Sequence, residues 1–122
     1  MKQYQINKAY AALSRLANMQ MPIRDAYNLY MLTEQIKPAY NFELEQEQKL
    51  IEKYGGTLDQ STGAFIFKDK ETTEAFRGEI MELNNLDVDA EFNAVTIAME
   101  SLGTQKITPV DIMCLEGFVS FI

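Results

Sequence analysis

The stretch PIRDAYNLYMLTEQIKPAYNFELEQEQKLIEKYGG, residues 22–56, decides how this chain folds. Pro22 suits the first turn of a helix, where its missing N–H costs nothing, and Gly55-Gly56 is a firm helix stop. Between them Ala26, Leu29, Tyr30, Thr33, Ile36, Tyr40, Leu44, Glu47, Ile51 and Tyr54 form one stripe, which predicts a helix over Pro22–Tyr54. Such a helix spans ~50 Å. Pro38 lies inside it and is expected to kink or divide it. From Glu43 to Lys53 the residues are mostly Glu, Gln and Lys, good helix formers that add little core. A helix so polar on most faces projects into solvent or packs in an oligomer.

Towards the N-terminus, Ile6, Ala9, Tyr10, Leu13, Leu16 and Ala17 predict an amphipathic helix over residues 6–19, broken by Gln20-Met21-Pro22. Towards the C-terminus, Thr57-Leu58-Asp59 and Ala64-Phe65-Ile66-Phe67 flank Gln60-Ser61-Thr62-Gly63 and read as a β-hairpin. Asp69 is placed to cap a helix over about 70–84, with Phe76, Ile80 and Leu83 on its apolar side. Val88, Ala90, Phe92 and Ala94 alternate with Asp87, Asp89, Glu91 and Asn93, the pattern of a half-exposed strand that can extend through Thr96-Ile97. Residues 98–106 are ambiguous. Thr108-Pro109-Val110-Asp111 supplies a cap, a first-turn proline and an acid for a short helix to about Glu116, stopped by Gly117. The expected fold is a single α+β domain over 1–122, mostly helical, with a long kinked helix, a hairpin, one further strand and a short C-terminal helix.

The composition removes most catalytic chemistry. The chain has no histidine, so His general bases, Ser-His-Asp and Cys-His nucleophiles and His-containing metal sites are excluded. The one cysteine, Cys114, sits among Ile112, Met113 and Leu115, reads as a small buried hydrophobe and makes no internal disulfide. No phosphate-binding glycine pattern follows a strand into a helix. Asp87, Asp89 and Glu91 could offer oxygens to Mg²⁺ or Ca²⁺, but Phe92 and Ala98 stand where a calcium loop needs glycine and glutamate. They read as a solvated face, and no cofactor or metal is expected. Tyr27, Tyr30 and Tyr40, near Arg24 and Lys37, could stack on single-stranded nucleic acid. They read instead as part of the packing stripe, because Leu29 and Ile36 share their side.

The net charge of −7 is unevenly spread, with residues 1–37 at +3 and the rest at −10. An acidic chain argues against nonspecific nucleic-acid binding. The split suits solubility, or self-association of a basic end with an acidic one. No segment approaches the ~20 apolar residues of a membrane-spanning helix. The polar opening residues Met1-Lys2-Gln3-Tyr4-Gln5 do not read as a secretory signal. A reducing, cytoplasmic setting is expected.

Several blocks have a familiar order: Ala9-Tyr10-Ala11-Ala12-Leu13, Met21-Pro22-Ile23, Leu50-Ile51-Glu52-Lys53-Tyr54-Gly55 and Ile107-Thr108-Pro109-Val110-Asp111-Ile112-Met113-Cys114-Leu115-Glu116. In this order, with the hairpin and acidic helix between, the chain resembles small uncharacterised proteins of tailed phages and prophages of Gram-positive bacteria. The resemblance implies a phage or prophage origin, a place in a bacterial cytoplasm or virion, and a non-enzymatic role. It carries over no functional residue.

Two functional expectations follow. The first is an accessory protein acting through protein–protein contact and self-assembly, with the apolar end of the chain, Phe118, Phe121 and Ile122, as oligomer contact. The alternative is an acidic inhibitor of a host nucleic-acid-binding protein such as a defence nuclease. Its partner-binding face would be Glu71, Glu74, Glu79, Glu82, Asp87, Asp89 and Glu91.

Overall fold

Gln20 to Pro22 turn the chain back on itself. In a computed structural model describing all 122 residues, α1 (Gln3–Leu16) folds along the first half of α2 (Ile23–Lys53). Leu16 and Leu29 line one cleft near the turn, and at the far end of α1 the Gln3 amide donates to the Ala39 carbonyl at 3.1 Å. By length, α1 covers ~21 Å of a helix ~46 Å long. The second half of α2 therefore runs on past its partner.

That projecting half carries an extension. Lys53 is the last helical residue, and the stop is a paired carbonyl cap: Gly55 N–H reaches the Glu52 carbonyl and Gly56 N–H the Ile51 carbonyl. Gly55 has φ +67°, a left-handed conformation that favours glycine, and a Cβ on Gly56 would stand 2.9 Å from the Phe67 ring. Strands β1 (Thr57–Leu58) and β2 (Phe65–Ile66) pair antiparallel, as the turn signal required. Helix α3 (Lys70–Asn84) then packs back on α2. Its cap is the expected one, Asp69 accepting from the Thr72 N–H at 2.7 Å. Phe76 stacks at a tilt on Phe67, ring centres 4.6 Å apart, and meets Tyr54 edge-on.

The chain returns through an extended strap. Lys2 and Asp87 form an isolated bridge, with Gln3 N–H on the Leu86 carbonyl at 2.9 Å and Val88 N–H on the Met1 carbonyl at 2.7 Å. The expected strand over Val88–Ala94 is not one. Val88, Ala90 and Phe92 do turn inward and Asp89, Glu91 and Asn93 outward, but no neighbouring strand completes a ladder. Alternation reports burial of one face and says nothing of a pairing partner. At Asn93, whose N–H binds the Gln35 side chain at 2.8 Å, the pattern slips out of phase. Val95 and Ile97 become the buried positions of β3 (Val95–Ile97).

β3 pairs in parallel with β4 (Val119–Phe121), in register Val95 with Val119 and Ile97 with Phe121. The crossover holds a 3-10 turn (Met99–Leu102) and α4 (Pro109–Cys114), which is capped by the Thr108 hydroxyl on the Asp111 N–H at 3.1 Å. Asp111, almost fully buried, binds the Arg15 guanidinium and ties α4 to α1. The core lies where α1, the first half of α2, β3, β4 and Leu115 meet. Helix boundaries shift by a few residues from expectation: α1 begins at Gln3 and ends at Leu16, and α4 ends at Cys114. Pro38 does not divide α2, which is continuous across it. The missing N–H leaves only the Glu34 carbonyl without its helical partner. Cys114 is half-buried against the core.

Candidate functional site

Helix α2 is apolar on two opposite sides of its first half. At 100° per residue, Leu29, Leu32 and Ile36 share one side, and they are 6%, 1% and 0% exposed. Ile23, Tyr27, Tyr30 and Met31 fall at steps of four, seven and eight on the opposite side, and they are 88%, 60%, 59% and 37% exposed. The expectation that Tyr27 and Tyr30 belong to the packing stripe is therefore corrected. Only Tyr40 does, stacked on Tyr10 with ring centres 4.0 Å apart. Beside Tyr30 an apolar cleft of about 250 Å³ is lined by Leu13, Leu16, Met19, Met21 and Leu29 among others. On the other flank, Tyr27 and Met31 form one wall of a groove whose opposite wall is Asn93–Thr96, which runs into β3.

Part of the predicted acidic face is paired to cations of the chain. Glu79 receives Lys53 Nζ at 3.1 Å on both carboxylate oxygens. Hydrogen bonds from Tyr54 and from Lys53 hold its pKa below the ordinary value. Asp87 binds Lys2 Nζ at 2.9 Å, and that hydrogen bond likewise lowers its pKa. Glu74 lies 4.0 Å from Lys70. Glu71, Glu82, Asp89 and Glu91 are exposed, two on α3 and two on the strap, with no cation of the chain paired to them. Glu79 and Glu82 line one shallow groove with Phe42, Leu50, Leu83 and Leu86. No three Cys, Asp or Glu side chains converge where an ion would sit.

The C-terminal residues proposed as an oligomer contact separate. Phe118 is 1% exposed and stacks on Phe92 at 4.7 Å. It closes the core and is not available to a partner, because β4 pairs with β3 and carries it inward. Phe121 is half-buried against the core, and Ile122 alone is open, 76% exposed.

One ionisable residue lies where an apolar one was expected. The predicted stripe runs through Leu44, yet Leu44 faces solvent and Glu43 is buried. Counting in sevens from Ile36 lands on Glu43 and then Leu50, so the helical period itself carried the signal. Burial raises the Glu43 carboxyl to about 7, and a hydrogen bond shared with Glu47 and that residue's charge push the same way. One turn earlier on α2 stands Ala39, whose carbonyl accepts from the fully buried Gln3 of α1; Gln3 also donates to Asn7 Oδ1, while its own Oε1 has no partner. This polar seam marks the joint between body and extension. No helix is long and apolar enough to cross a membrane.

Comparison of the chain with protein families, with curated proteins and with solved structures finds no match.

Proposed function

We propose that this chain is a non-enzymatic accessory protein of a phage or prophage, working by protein–protein contact and by self-assembly in the bacterial cytoplasm or the virion. The phage origin rests on the sequence resemblance. The mode of action rests on the solvent-facing stripe Ile23, Tyr27, Tyr30 and Met31, a row of large apolar side chains on a rigid helix. Contiguous exposed apolar surface of this kind marks interaction sites. Aromatic and Met side chains are the types enriched in them.

The inhibitor reading has weaker support, because Lys2 and Lys53 already neutralise two of the seven carboxylates it needs. Size exclusion with light scattering tests self-assembly. The expected result is a mass above the 14.0 kDa of one chain at micromolar concentration. One-chain mass across a dilution series rejects self-assembly and turns attention to a heterologous partner.

A further inference from the structure

We propose that the outward stripe of α2 is the contact through which two copies of this chain pair, antiparallel, about a two-fold axis at the level of Leu29. The inference rests on the self-assembly reading and names its surface and register.

Three observations select this face. The stripe is continuous over more than two turns of one helix, whereas the other exposed apolar groups form smaller sets, among them the Leu58–Phe65 pair on a two-stranded ribbon, Phe42 and Leu86 in the groove between α2 and α3, Met113 on a six-residue helix and Ile122 at the chain end. Second, the stripe sits directly behind the helix side that holds the core, so a partner can cover it without disturbing the fold. Third, its charges are self-complementary only in one orientation. Arg24 stands at one end of the stripe and Glu34 at the other, ~15 Å apart along the helix. Both are solvent-exposed, and Glu34 has only a long 3.8 Å contact with Lys37.

A parallel pair would set Arg24 on Arg24 and Glu34 on Glu34. An antiparallel pair sets each Arg24 against Glu34 of the second copy, twice over. Lys37 lies on the flank of the stripe away from Arg24, so it does not oppose this pairing. The midpoint of Arg24 and Glu34 is Leu29. At that axis Tyr27 faces Met31 of the second copy, and the two Tyr30 rings meet. Thioether–aromatic and ring–ring contacts of this kind are favourable. Two-fold pairing of one patch with itself is also the commonest homo-oligomer geometry.

The test uses the full chain and light scattering over a dilution series, with circular dichroism confirming the fold of each variant. Wild type is expected at twice one-chain mass. Arg24→Glu and Glu34→Arg each set like charges face to face and should weaken pairing roughly tenfold or more. The double variant R24E/E34R should restore it. Tyr27→Asp should leave single chains.

Single chains for wild type overturn both this contact and the self-assembly reading. A wild-type dimer that ignores the single charge reversals, or is not restored in the double variant, overturns the contact and leaves self-assembly standing. Masses that climb past two chains with concentration overturn the two-fold pairing in favour of head-to-tail growth.

Discussion

Fourteen buried apolar residues hold together the body made by α1, the first half of α2 and the C-terminal β3–α4–β4 unit. The extension from Asn41 to Asn84 buries only Ile51 and Glu43, and α3 buries no residue fully. One helix serves both regions, and the difference follows from what lies beside it. Where α1 runs alongside, α2 presents Leu29, Leu32 and Ile36. Past the end of α1 it presents Glu43, Gln46 and Glu47, with Ile51 returning only under the Gly56–Phe67 corner. The body is held by dispersion and hydrophobic burial. The extension is held by a Tyr54–Phe76–Phe67 cluster and the Lys53–Glu79 ion pair. Regions with so few buried contacts open locally at lower free energy than the core. The extension is thus the part that adjusts, and the body the part that positions the outward stripe.

The largest expected effect lies in the body. Ile36→Asp puts an unpaired charge into fully buried surroundings and should cost on the order of 4 kcal/mol or more, lowering the thermal midpoint of the whole molecule. An unchanged melt would show that this side of α2 does not carry the core.

Phe76→Ala should cost about 2–3 kcal/mol by removing the ring shared by Tyr54 and Phe67. Its signature is regional. Amide hydrogen exchange should accelerate over residues 57–84 while Leu13, Leu32 and Ile97 keep their protection. Equal acceleration everywhere would make the two regions one cooperative unit.

At the joint, Glu43 holds its proton to about pH 7 in the folded chain, against 4.5 ordinarily. Between those values the folded state binds more protons than the unfolded, so stability falls as pH rises through that window. Glu43→Gln removes the cost. It should stabilise by about 2 kcal/mol at pH 8 and leave stability unchanged near pH 4, read by denaturant unfolding at both. A gain of equal size at both pH values would assign the effect to packing.

The smallest effect is Asp69→Ala, about 1 kcal/mol, from the lost cap on the Thr72 N–H. Exchange should rise in the first turn of α3 and nowhere in the body.

Much of the apolar surface was misread from the chain alone, and the pairing of part of the acidic surface was not visible there, for a common reason. Seven carboxylates counted along 71–91 look like one face, yet Glu79 and Asp87 are drawn to Lys53 and Lys2, residues distant in sequence. Tyr27 and Tyr30 look like core because the pattern sets Leu29 and Ile36 on their side. Their exposure depends on which side of α2 receives α1, and both sides are apolar. Phe118 looks like surplus apolar surface until β4 is known to pair with β3.

What the amino-acid order determined by itself are the features set by groups a few residues apart: the Asp69 and Thr108 caps, the stop at Gly55-Gly56, the hairpin turn and the helical periods of α1 and α2. These interactions close within a turn or two, so their geometry is contained in the local pattern. Tertiary structure alone decided that Val95–Ile97 and not Val88–Ala94 becomes the strand, and that α2 keeps a second apolar side in solvent. Each of these depends on which distant segment arrives alongside, and how far it reaches. A strand needs a partner edge, and a helix side is buried only where another element covers it.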